Sequence, residues 1–135
     1  MFERCLYFNI NALTRKINKL WEQAFSDFDL SPSHAYLLRL VLTTPCITQK
    51  QIAQELKLEK STVTRFIDNL QAKGYLKRNK IGREQTIIPT AKTRKLETAL
   101  NQKGDELYQK MLDTIGRNEL IDLVAELRNS EKKID

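Results

Sequence analysis

The stretch ITQKQIAQELKLEKSTVTRFIDNLQAKGYLKR, residues 47–78, decides the fold. Thr48 followed by Gln51 is a capping box, in which the hydroxyl and the amide each satisfy an end donor of a first helical turn. The helix it opens has Ile52, Ala53 and Leu56 as its buried face, and Lys57-Leu58-Glu59 is the turn behind it. The spacing of Val63, Phe66, Ile67 and Leu70 predicts a second helix over residues 60–73. Gly74 ends that helix in the left-handed position that favours glycine. Residues 75–78 and 85–88 read as two short strands, with Lys80-Ile81-Gly82-Arg83 as the tip between them.

Upstream, Ser31-Pro32 is a strong helix start, with Ser as N-cap and Pro in the first helical position. That helix runs to about residue 42, and Pro45 disfavours helical backbone before it. A first helix is predicted over residues 3–25, because Leu6, Ile10, Leu13, Ile17, Leu20, Trp21 and Ala24 step by threes and fours towards Phe28. Phe2, Tyr7, Phe8 and Phe25 widen this face beyond what one small domain covers, so a second subunit is the expected cover. Asp27–Leu30 reads as a loop. Downstream, Pro89 stops the second strand and Thr90 caps a long helix over residues 91–115, with Leu96, Leu100, Leu107, Met111 and Ile115 on one side. Gly116-Arg117-Asn118 interrupts it, a sixth helix carries Leu120, Val124 and Leu127, and residues 129–135 are expected to fray. The fold class is mainly α with a small β-hairpin wing: a winged helix-turn-helix with long N- and C-terminal dimerisation helices. Residues 1–30, 31–90 and 91–135 are the N-terminal dimerisation helix, the DNA-binding region and the C-terminal dimerisation helices of one structural domain.

Composition narrows the function. The 135 residues carry a net charge of +6. Twelve Lys or Arg and four Asp or Glu lie between Lys50 and Lys95, against eleven and thirteen elsewhere. A basic segment between two slightly acidic ends points to a polyanionic partner. No apolar run approaches the ~20 residues of a membrane span, and the first residues have charges where a signal peptide needs an apolar stretch. Two cysteines make no disulfide framework, which makes a reducing cytoplasm the expected compartment. One histidine, no Gly-rich phosphate loop and no Cys/His spacing leave no support for an enzyme, a metal or a cofactor.

In a helix-turn-helix the second helix enters the major groove by its N-terminal half, and the first props it across the backbone. With Val63, Phe66, Ile67 and Leu70 turned inward, the outer face near the start of that helix is Lys60, Ser61, Thr62, Thr64 and Arg65. Small hydroxyls allow close approach to bases and phosphates, and Arg can fork to guanine. Thr48, Gln49 and Lys50, at the start of the propping helix, complete the expected DNA-binding set together with Arg78, Lys80 and Arg83 of the wing. A basic hairpin beside a recognition helix can reach a flanking minor groove.

From Leu30 to about Leu100 the chain resembles the MarR (multiple antibiotic resistance regulator) family. The resemblance is carried by LSPSHAYLL (Leu30–Leu38), ITQKQIAQEL (Ile47–Leu56), KSTVTRFIDNL (Lys60–Leu70), KGYLKR (Lys73–Arg78) and REQTIIPT (Arg83–Thr90). It implies a homodimer, built from the first, fifth and sixth helices, that binds a pseudo-palindromic double-stranded operator and represses. Ser61, Thr62, Thr64 and Arg65 match the family's base- and phosphate-reading positions, and Arg83 its wing arginine. The chain departs from the pattern at Ile81, where the family has an Asp, at Pro89 and Thr93, where Leu and Gly are typical, and in a tip about three residues shorter.

The resemblance also implies an effector pocket between the dimer helices and the winged unit. Trp21, Phe25, Phe28, His34, Tyr36 and Arg39 come from that neighbourhood, and a small apolar or aromatic ligand is expected. Cys5 lies near the family's peroxide-sensing cysteine, about two residues upstream by gapless count. A noncovalent ligand is the favoured signal, and Cys46 reads as structural. The competing class is a winged-helix protein-interaction module, against which the basic Lys60–Arg65 face argues.

Overall fold

The computed structural model describes residues 1–134. The order of elements is α1 (Leu6–Phe25), a 3-10 turn (Ser26–Phe28), α2 (Pro32–Thr43), β1 (Ile47–Thr48), α3 (Gln49–Leu56), α4 (Lys60–Ala72), β2 (Leu76–Ile81), β3 (Glu84–Pro89), α5 (Ala91–Arg94), α6 (Glu97–Ile115) and α7 (Arg117–Lys133). The chain divides into two compact units, Met1–Asn101 and the residues from Gln102 on.

The first unit holds the winged helix-turn-helix. Ser31 caps α2 by accepting from the His34 N–H at 3.2 Å. The Thr48–Gln51 capping box forms in both directions, at 3.2 and 2.9 Å. Helix α4 ends at Gly74, φ +84°, with the Tyr75 N–H on the Leu70 carbonyl and the Gly74 N–H on that of Gln71, the two bonds of a Schellman motif. The same pair closes α3, Leu58 to Ala53 and Lys57 to Gln54, with Lys57 in the left-handed region at φ +55°. Leu37, Leu38, Ile52, Val63, Ile67 and Leu70 are fully buried, each adding about 1.5–3 kcal/mol of apolar burial.

The sheet is antiparallel, in the order β1-β3-β2. Residues 47–48, read from sequence as the approach to a helix, pair with Ile87 and Thr86 as a third strand. The hairpin is also longer than residues 75–78 and 85–88: the register runs from Leu76↔Pro89 to Ile81↔Glu84. Lys80 and Ile81 therefore belong to β2, and the tip is the two-residue loop Gly82-Arg83. Gly82 lies at φ +62°, as the first position of a tight hairpin turn can require.

Four helix boundaries differ from expectation. Helix α1 starts at Leu6 rather than Glu3, because a turn closed by the Cys5 N–H on the Phe2 carbonyl precedes it. The Asn9 amide donates to that turn's carbonyls of Phe2, Glu3 and Cys5. The long helix of residues 91–115 is two helices. Thr93, wholly buried, donates its hydroxyl to the Tyr75 carbonyl at 2.6 Å. This ties the first turn to the base of the wing, and the Leu96 N–H tightens onto Thr93 before α6 begins. Thr90 precedes α5 without a side-chain cap bond; its hydroxyl goes to the Gly74 carbonyl at 2.7 Å. Finally, only Gly116 separates α6 from α7, and the tail expected to fray is helical to Lys133, with Lys132 and Lys133 at its negative end.

In the second unit Leu107, Met111, Leu112 and Leu120 are buried. Ile121, Val124 and Leu127 of α7 stand exposed, as do Leu6, Tyr7, Phe8, Ile10 and Leu13 of α1 in the first unit. The first half of the α1 stripe (Leu6, Ile10 and Leu13) and most of the α7 stripe read from sequence are thus open in a single chain, while Ile17, Leu20, Trp21, Ala24 and Phe28 are half-buried.

Thr93→Val keeps the shape of the side chain and deletes its bond to Tyr75. Urea denaturation at fixed protein concentration is expected to register a loss of about 1 kcal/mol.

Candidate nucleic-acid interface

The outer face of α4 follows from its buried one. Once Val63, Ile67 and Leu70 are fixed in the core, Lys60, Ser61 and Arg65 are exposed, and Thr62 and Thr64 are half-buried. An Arg65 guanidinium nitrogen lies 3.4 Å from the Thr62 hydroxyl, which orients it along the helix start. The Thr64 hydroxyl donates to the Lys60 carbonyl at 3.0 Å and accepts from the Gln49 amide, so Gln49 joins α3 to α4 through a side chain.

Helix α4 begins at Glu59 without a side-chain cap bond. Its first N–H groups carry the positive end of the helix dipole. Beside them a cleft of about 550 Å³ is lined by Lys50, Lys57, Lys60 and Ser61, with Ala53, Gln54, Leu58 and Glu59. Three lysines and a helix start without a side-chain cap therefore border one cleft. Lys57, in the turn between the two helices, joins the cleft without having been expected from the sequence.

In the wing, Lys80 and Arg83 are exposed. Arg78 is not: its side chain is 22% exposed, with one guanidinium nitrogen 2.5 Å from the Asp68 carboxylate and the other on the Gln71 side-chain carbonyl. Thr86, buried at the centre of the sheet, donates its hydroxyl to the Asn79 carbonyl at 3.1 Å and stiffens the hairpin.

Five of the six residues expected near an effector come together. The Trp21 indole N–H donates to the Tyr36 hydroxyl at 3.1 Å. Phe25, wholly buried, meets Phe28 and Tyr36 with ring centres 6.2 and 6.0 Å apart. The Arg39 guanidinium sits 5.2 Å over the Tyr36 ring and donates to Asn101 at 3.2 Å. Asn101 was not anticipated; a polar residue in a helical stripe gives no sequence signal of its own. His34 instead packs edge-on against Phe66 of α4, 4.8 Å between ring centres. Cys5 is half-buried at the start of α1, and Cys46 is exposed with a left-handed backbone. Among the described residues no three His, Cys, Asp or Glu side chains are grouped to hold a metal, and no helix is long and apolar enough to cross a membrane.

A capped support helix, a recognition helix with a hydroxyl-and-arginine face and a basic hairpin beside it define a winged helix-turn-helix DNA-binding regulator. The MarR family model matches residues 30–82. The uncharacterised HTH-type transcriptional regulator YwoH of Bacillus subtilis is 30% identical over 111 residues, 81% of each chain. The regulator YybA of the same organism is 24% identical over 131 residues, 93% of this chain and 86% of that one. The chain belongs to the MarR family and is a DNA-binding transcription regulator. Its fold is that of Staphylococcus aureus MepR, solved in a complex with DNA, at a TM-score of 0.86 and 20% identity over 98% of this chain and 100% of that one. It is likewise that of Bordetella bronchiseptica BpsR, at 0.86 and 15% over 96% of each.

Burial, and then the charge of Lys73, hold the His34 pKa below its ordinary value, near 6.5. Above about pH 6.5 the imidazole is neutral in both folded and unfolded chains, and its contribution to stability is complete. As the pH falls below that, the unfolded chain takes up a proton that the folded one resists, and stability declines until the folded pKa is passed. His34→Gln is expected to make stability fall less steeply between about pH 7 and 5 in denaturant titrations across that range.

Proposed function

We propose that the chain acts as a sequence-specific homodimer that reads a pseudo-palindromic operator and represses, until a small apolar or aromatic effector releases it. One observation carries the reading. The start of α4 offers exposed Ser61 and Arg65 and half-buried Thr62 beside a helix end without a side-chain cap and the Lys50–Lys57–Lys60 cleft. Hydroxyls and a forked cation read base edges, while lysines and free N–H groups hold phosphates and set the register. Thr48 and Lys50 contact DNA from the start of α3, beside Gln49, which braces the recognition helix through Thr64. Lys80 and Arg83 extend the contact along the flanking backbone. The chain works here as a binding protein in the cytoplasm, with no catalytic, metal or cofactor role.

The two-fold rests on the exposed apolar residues of the first half of α1 and of α7. Residues 1–30 and 91–135 then serve dimerisation and residues 31–90 serve DNA. Two recognition helices read together when they sit about one turn of DNA apart, ~34 Å. A ligand at the Trp21–Tyr36–Arg39 cluster, where α1 meets α2, changes that separation, and Cys5 takes no part.

Arg65→Ala is expected to cost about 1–3 kcal/mol on a duplex selected by the native protein from a random pool. Lys73→Ala, at the far end of the helix, should cost much less. Equal losses would mean that α4 does not enter by its N-terminal half.

Light scattering at micromolar concentration is expected to give about twice the chain mass of 15.8 kDa. A monomer under those conditions would remove both the two-fold and the reason for a palindromic site.

A further inference from the structure

We propose that Arg78 is a positioning residue of the DNA interface, locking the wing to the recognition helix through Asp68 and Gln71, and that operator discrimination depends on this lock. The proposal rests on the reading of α4 and the wing as one DNA-binding surface.

Side chains alternate between the faces of a strand. Leu76 of β2 is buried, so Arg78, two residues on, faces the same way and pairs across the hairpin with buried Ile87. That is the inner face of the sheet, towards α4. There the guanidinium meets two acceptors on one helix, the Asp68 carboxylate at 2.5 Å and the Gln71 carbonyl oxygen. Asp68 and Gln71 are three residues apart, on adjacent turns of the same helix face. A planar fork held at two points fixes both a distance and an angle. One point charge would fix neither.

The brace lies beyond the contacts that hold the base of the hairpin. Between Ala72 and Leu76 the chain turns through Gly74 at φ +84°, and beyond Arg78 the strands run on as an exposed ribbon to Gly82-Arg83. The Gly74 turn is held by Thr90, Lys92 and Thr93, and the Arg78 brace is the contact to α4 just beyond those ties. Its angle sets how far Arg83 lies from Thr62 and Arg65, hence whether helix and wing engage the same duplex together. The brace also places a guanidinium against Asp68, the acidic group on the second turn of α4, and so masks its charge from the phosphates.

The test measures binding to two duplexes of equal length, one selected by the native protein from a random pool and one of random sequence. It also follows hydrogen exchange of the β2 and β3 amides in the free protein. Arg78→Lys keeps the charge and loses the fork. It is expected to lower the selected-to-random ratio by about tenfold, leave the salt slope unchanged and speed wing exchange. Asp68→Asn should do the same to the ratio and to exchange, and the double variant should lose little more than either single one. A native ratio and native exchange in Arg78→Lys would overturn the proposal. So would an Arg78→Gln variant whose salt slope drops by about one phosphate equivalent while Asp68→Asn binds both duplexes more tightly at an unchanged ratio, since that pattern marks a direct phosphate contact. If the native protein retained neither duplex, the DNA reading would fail, and unchanged or faster wing exchange in Arg78→Lys would still decide the lock. Far-UV circular dichroism identifies a variant that has lost its fold; Asp68→Asn, altered at an exposed site, then carries the comparison.

Discussion

The carbonyl of Tyr75 is the point on which the winged unit is hung. It accepts the Thr93 hydroxyl at 2.6 Å and the Thr90 N–H at 3.1 Å, while the Tyr75 N–H closes the Schellman motif of α4 on Leu70. The Thr90 hydroxyl holds the Gly74 carbonyl. The Lys92 ammonium reaches the Lys73 carbonyl and lies 4.1 Å over the Tyr75 ring. The end of the recognition helix, the start of β2, the end of β3 and the first turn of α5 therefore share one set of polar contacts. The Tyr75 carbonyl, on a buried residue, is the group these contacts keep paired. The recognition helix is thus fixed at its C-terminal end by polar contacts, while its N-terminal half is held in the core through Val63 and keeps Lys60, Ser61 and Arg65 exposed.

That division explains how the basic charge is used. The net charge of the segment from Lys50 to Lys95 says that a polyanion is near, but not which cations meet it. In the folded chain the cations separate by role. Lys50, Lys57 and Lys60 surround the uncapped start of α4, Arg65 lies along its first turns and Arg83 occupies the hairpin turn. Arg78 faces inward on acceptors of α4, and Lys92, exposed, donates to the Lys73 carbonyl. The short wing lacks an acid at Ile81, and its tie to α4 lies at the base of the hairpin rather than at the tip. The aromatic cluster is built by the same logic: Tyr36 is held by Trp21, Phe25 and Arg39 from three directions, and His34, only two residues away, turns to Phe66 on the opposite side of α2.

Most of the winged unit was legible because its signals are local. The Thr48–Gln51 box, the Ser31-Pro32 start, the Gly74 stop and the period of Val63, Ile67 and Leu70 all act within four residues, where backbone geometry alone decides the outcome. The exposed face of α4 followed by subtraction. The misses share a different character. Residues 47–48 became a strand only because β3 offers them partners at Ile87 and Thr86. The helix of residues 91–115 broke because Thr93 is tied to a residue eighteen positions earlier.

The sequence by itself determined the order of the elements, the helix starts and stops of the DNA-binding unit, and the location of its charge. Capping, periodicity and glycine are short-range constraints that a chain carries wherever it lies. Tertiary structure alone decided which cations face outward, which threonine hydroxyls are used internally and where the hairpin is braced. Arg65, Arg78 and Arg83 are chemically the same residue on the page. Their roles separate only when Asp68 and Gln71 come within reach of one of them, because a charged side chain takes its function from the partners that folding places beside it.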